Sequence, residues 1–78
     1  MNYKLKAIKG RVDYYMKQKS GLVGSNTPQD SAEWMLAQSK PHKSDEIDGF
    51  PIAVTIRGSE YFFAGEWIEP KKRRAKGE

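Results

Sequence analysis

Residues 50–69, FPIAVTIRGSEYFFAGEWIE, hold the densest run of β-branched and aromatic side chains in this 78-residue chain. Two β-rich runs, 52–56 and 60–63, flank Gly58-Ser59, a pair that supplies positive φ and reads as a tight hairpin turn. Pairing Arg57 with Glu60 then sets Ile56 opposite Tyr61, Val54 opposite Phe63 and Phe50 opposite Trp67. One face so defined carries Phe50, Ile52, Val54, Ile56, Tyr61, Phe63 and Trp67, and is expected to be the core. The other carries Ala53, Thr55, Arg57, Glu60, Phe62, Ala64, Glu66 and Ile68, and is expected to be mostly wet. A one-residue slip would bury three charges and expose the aliphatic row, so the alternation itself resists it. Gly65 is placed to bulge the last strand.

Outward from this hairpin, residues 3–16 admit two readings. As a hairpin turning at Lys9-Gly10, they pair Ala7 with Val12, Leu5 with Tyr14 and Tyr3 with Met16. As a helix, Leu5, Ile8, Val12 and Tyr15 share a face, but Gly10 interrupts it and no capping residue precedes it beyond Asn2. Strands are favoured. Residues 17–26, KQKSGLVGSN, read as a loop with Leu22 and Val23 tucked inward. Thr27-Pro28-Gln29-Asp30 is a helix start: a capping hydroxyl, proline at the first helical position and an acid in the positive first turn. The helix is expected over 28–40, with Ala32, Met35, Leu36 and Ser39 inward, Trp34 at the border and Pro41 as the stop. Residues 41–49 are a polar, acidic connection expected to be mobile. The predicted fold is α+β: two antiparallel hairpins forming a small sheet with one helix packed on it. A winged helix with a helical N-terminus is the alternative.

Length bounds the chain to one small domain, 1–70, followed by a basic tail, 71–78, expected to be disordered. There is no cysteine, hence no disulfide or thiolate metal site, and a cytoplasmic setting is the natural expectation. No apolar run approaches the roughly 20 residues that span a bilayer, so no membrane role is expected. The net charge of +4 is segregated: residues 1–19 carry six Lys/Arg and one acid, 20–70 three against eight, and 71–78 five against one. Basic ends around an acidic middle imply an electrostatic footprint made by the termini.

Catalytic chemistry finds little purchase here. His42 neighbours Lys43, Ser44, Asp45, Glu46 and Asp48, but the spacing matches no metal loop or nucleophile motif. No enzyme activity, catalytic residue, metal or cofactor is expected. Lys71, Lys72, Arg73 and Arg74 are the most suggestive feature, since clustered cations beside a folded sheet neutralise phosphates and release counterions. Arg57 joins them, with Lys4, Lys6 and Arg11 assisting. Phe62, on the outward face, and Tyr15, outward near Lys4 and Lys6, are expected to offer rings on which a base can stack. Trp34 and Trp67 are assigned mainly to packing, Trp34 being the better placed to meet a partner.

Phe50-Pro51, Val54, Arg57-Gly58, Glu60-Tyr61 and Phe63 together resemble the wing of lambda-type excisionases, small basic proteins that direct site-specific recombination. Glu33-Trp34, Gln38, Pro41 and Ser44 are similar to that family's first-helix region, so the resemblance covers residues 33–63. It implies a wing tip at residues 57–60 near the minor groove and a basic tail along the backbone. In that family a second, DNA-reading helix lies between these parts, whereas here only residues 45–49 are available. The functional expectation is a small non-enzymatic nucleic-acid-binding regulator of phage or mobile-element type, contacting DNA or RNA. The alternative is a protein-binding inhibitor or adaptor using Glu33, Trp34, Asp45, Glu46 and Asp48.

Overall fold

The computed structural model describes residues 2–69. It is a mixed α+β structure, one helix on a curled antiparallel sheet. The elements are β1 (Tyr3–Leu5), β2 (Ala7–Ile8), β3 (Arg11–Gln18), β4 (Gly21–Pro28), α1 (Gln29–Ala37), β5 (His42–Lys43), β6 (Ile52–Ile56), β7 (Ser59–Phe63) and β8 (Gly65–Trp67). Across the sheet the strands lie in the order β4, β3, β7, β6, β5. The N-terminal stretch bridges two strands as they diverge: β2 pairs with β3, and β1 pairs with β8.

The β6–β7 hairpin forms, but its turn is Arg57-Gly58, with both φ angles positive at 52° and 82°. That is the geometry of a primed two-residue turn, whose twist matches the sheet. Val54 therefore faces Tyr61, Ile52 faces Phe63 and Glu60 faces Thr55, two residues away from the alignment expected from a Gly58-Ser59 turn. Because the shift is even, the core-facing set is unchanged: Ile52, Val54 and Phe63 are fully buried, with Ile56 and Tyr61 packed beside them. Alternation specifies a strand's face, and both registers satisfy it equally.

The outer face of this hairpin is not wet. Ala53 and Phe62 are fully buried and Ala64 nearly so. Phe62 lies in register with Ala53 on one side and Tyr15 on the other. Tyr15 meets Phe50 edge-on, with ring centroids 4.9 Å apart. Phe50 thus belongs to this second face rather than opposite Trp67, and Tyr15 is half-buried beneath it rather than outward among cations. The 44–50 segment crosses here, tied by Ser44 N–H to the Pro51 carbonyl and by a Lys17–Glu46 ion pair of 3.1 Å. Burying a side chain such as Phe62 contributes about 1.5–3 kcal/mol, which favours a course of the polar connection that covers it.

On the principal face α1 supplies Ala32 and Leu36 to a cluster with Leu5, Val12, Ile52, Val54 and Phe63. The helix starts one residue later than expected and ends three earlier. Thr27 is part of β4, paired with Val12, and Pro28 occupies the cap position with extended ψ of 148° and no side-chain cap bond. Gln38 N–H and Ser39 N–H return to the Met35 and Leu36 carbonyls, tightening the last turn so that Ser39 is exposed.

The N-terminal segment is strand, and a winged-helix arrangement with a helical N-terminus does not form. Lys9-Gly10 makes the turn and Ala7 faces Val12 as expected, but the hairpin is short. Beyond Lys6 the chain leaves β3, and Tyr3 pairs with Trp67 and Leu5 with Gly65 instead of Met16 and Tyr14. Tyr3 and Trp67 stack with centroids 6.5 Å apart. Gly65 permits this crossing: a Cβ there would run into the Lys4 carbonyl oxygen and lie 2.7 Å from Ile52 Cδ1. Residues 17–26 are not a loop. β3 continues to Gln18, Lys19-Ser20 turn, and β4 pairs with the whole length of β3. Leu22 and Val23 are 45% and 43% exposed on this outer strand, not tucked inward.

Candidate nucleic-acid interface

Two hairpin tips meet at one end of the sheet. Met16 faces Tyr61 in the β3–β7 pairing, which brings Gln18 level with Ser59 and so sets the Lys19-Ser20 turn beside the Arg57-Gly58 turn. Both Arg57 and Lys19 are exposed, and neither is in an ion pair among the described residues. The left-handed backbone at Arg57 is uncommon for a residue with a Cβ and holds the guanidinium at the tip.

Alongside this tip runs a groove of about 340 Å³ between α1 and the β6–β7 hairpin, lined by Trp34, Met35, Gln38, Ile56, Arg57 and Tyr61. Trp34 is 65% exposed, the most exposed of the large apolar side chains among the described residues. Leu36 and Ala32 take the helix's buried stripe, so Trp34 is carried outward by helical period alone. The tip thus combines a flat aromatic, a partly exposed tyrosine and two cations.

The expected nucleic-acid residues do not form one surface. Lys4, Lys6 and Arg11 are exposed at the far end of the sheet, the length of β3 away from Arg57, roughly 23 Å at 3.3 Å per residue. Lys4 lies opposite Glu66, and Arg11 Nε donates to Asn26 Oδ1 at 2.6 Å. Phe62 is corrected outright: with no exposed surface it cannot stack on a base. Lys71, Lys72, Arg73 and Arg74, with the tail expected over 71–78, lie outside the described residues.

The acidic surface is likewise divided. Glu33 and Trp34 belong to α1 on the principal face, while Asp45, Glu46 and Asp48 belong to the segment crossing the opposite face. Glu46 is engaged with Lys17, whose ammonium is held above its ordinary range by the Glu46 hydrogen bond and charge, with Glu60 at 4.0 Å adding to it. A second cleft of about 390 Å³ includes Lys43, Asp45, Asp48, Glu66 and Trp67. Its acids make it a poor seat for phosphate. His42 is exposed on β5, opposite Ala53, and no three His, Asp or Glu side chains converge as a metal site among the described residues.

Sequence reasoning missed Lys19, Met35, Gln38, Ile56 and Tyr61 as site residues. Their grouping depends on the register between β3 and β7 and on where α1 lands, neither of which leaves a local signal. No protein-family model matches this chain, and no significant match is found among curated proteins or solved structures. No helix among the described residues is long and apolar enough to cross a membrane.

Proposed function

We propose that this chain is a small non-enzymatic regulator that binds nucleic acid through the paired hairpin tips, working in the cytoplasm in the manner of phage or mobile-element proteins. The observation that carries the reading is the exposed Trp34 ring sharing a groove with Arg57, beside Lys19. An aromatic platform flanked by cations is the combination that accepts an unstacked base while neutralising its phosphate. The excisionase resemblance fits the same place, since it makes residues 57–60 a wing tip. No second helix lies between α1 and β6, so contact is by the tip and by Lys71, Lys72, Arg73 and Arg74 rather than by a helix in the major groove.

The test is a salt titration of binding to duplex and single-stranded DNA and RNA, read by tryptophan fluorescence. A steep salt slope with quenching that disappears in Trp34→Phe supports the reading, and Arg57→Glu with Lys19→Glu should weaken binding by tenfold or more. The apolar floor of the groove, Met35 and Ile56, favours a second reading in which Trp34 anchors a protein partner. Salt-independent capture of a protein that is lost in Trp34→Ala, with no nucleic-acid binding at low salt, would decide for it.

A further inference from the structure

β4 is an edge strand. It pairs with β3 along eight residues and with no other strand among the described residues. The two-residue turn at Lys19-Ser20 is closed by Gln18 and Gly21, a hydrogen-bonded pair, so the bonding direction alternates from there. Val23, Ser25 and Thr27 then bond inward to β3, while Leu22, Gly24, Asn26 and Pro28 turn their backbone groups outward. Pro28 checks this phase independently: it sits opposite Arg11 and has no N–H, which is tolerated only where that N–H would face away from the sheet.

Natural edges are protected by charges, proline, inward-pointing charged residues, bulges, brevity or a covering element, and of the sequence-borne devices β4 carries only Pro28, at its last position. The β4 edge, GLVGSNTP, is eight residues long, carries no charge, and displays Leu22 and Val23. We propose that it pairs antiparallel with the β4 edge of a second copy, about a two-fold axis at Gly24. In that register Gly24 faces Gly24 of the second copy, and Leu22 and Asn26 face each other across the axis. Each outward donor, at Leu22, Gly24 and Asn26, then meets a carbonyl, and the donorless Pro28 falls beyond the paired span. What selects a copy of the same chain is that the outward groups at Leu22, Gly24 and Asn26 are spaced symmetrically about Gly24, so the edge complements itself. The uncharged strand also brings no like charges together on self-pairing. Val23 and Ser25 of the two copies become neighbours in a non-hydrogen-bonded pair, where side chains approach most closely.

The cysteine-free chain makes the register directly testable. Sedimentation of the full chain should show a monomer–dimer equilibrium up to millimolar concentration, and the Leu22, Gly24 and Asn26 amides should gain exchange protection as the dimer fills. Val23→Lys, at an exposed position, should abolish the dimer and leave the near-ultraviolet spectrum unchanged. Val23→Cys mixed with Ser25→Cys should form a mixed disulfide on mild oxidation, and neither variant alone should cross-link efficiently. A monomer at every concentration would overturn the proposal, as would a dimer indifferent to Val23→Lys or a disulfide formed by one variant on its own. No nucleic acid enters these measurements, so their outcome is separate from that of the binding titration.

Discussion

The molecule contains two contrasting versions of one motif: the β6–β7 hairpin at the sheet's interior and the β3–β4 hairpin at its margin. Each is closed by a two-residue turn. In the first, Ile52, Ala53, Val54, Phe62 and Phe63 are completely buried, because α1 covers one face and the 44–50 segment the other. In the second, every residue of β4 except Thr27 is exposed. Pairing alone therefore confers little burial on a hairpin. What distinguishes the two is the cover that other elements provide.

The contrast breaks most sharply at Phe62. Phe62→Ala should cost about 3–5 kcal/mol by leaving a cavity on the second face. Leu22→Ala, an apolar truncation on the exposed hairpin, should cost under about 1 kcal/mol. Urea unfolding of both variants checks the pair, and similar losses would mean that β4 is covered after all.

Next in size is Gly65→Ala, where the new methyl meets the Lys4 carbonyl and Ile52. A loss of roughly 2–4 kcal/mol is expected in the same assay, since backbone rather than a mobile side chain must give way. A smaller change would show that β1 can detach from β8 while the interior hairpin remains intact.

The two turns differ in strain. Arg57→Asn places a residue tolerant of left-handed backbone before Gly58, and should raise stability by about 0.5–1 kcal/mol. Nucleic-acid affinity should fall in the same variant, which would identify Arg57 as a residue kept for contact at a cost in stability. A gain in stability with unchanged binding would remove Arg57 from the interface.

The smallest effect is electrostatic. Tyr3 is raised by burial, with the Glu33 charge adding to it, and Lys17 is raised by its Glu46 bond. A raised value in the folded state means stability that is present below the ordinary values near 10 and lost as pH rises through the folded ones. Thermal stability should therefore decline above about pH 10, and Tyr3→Phe should flatten that decline. Lys17→Met should change the neutral-pH melting temperature little, as the pair is solvent-screened.

How much was legible in the residues follows from the range of the forces involved. The inward set of β6 and β7 could be read, because alternation is a local property of the chain. Its register could not, because Arg57-Gly58 and Gly58-Ser59 both make acceptable turns and a shift of two preserves every face. The helix could be read from Pro28, Asp30 and its apolar spacing, to within three residues. Residues 17–26 were illegible as strand, since glycines and serines resemble a loop when the partner that aligns them, β3, is not in view.

By itself the sequence determined the class of fold, the helix, the Lys9-Gly10 turn and which side chains of β6 and β7 face the principal core, all of which depend on periods of two to four residues, but not the side taken by Phe50. Tertiary structure alone decided that Phe62 has a second core to enter, that Tyr3 leaves Met16 for Trp67, and that Trp34 and Arg57 share a groove. Those outcomes depend on contacts between segments distant along the chain, whose free energy is set by what covers each face, and no local pattern records it.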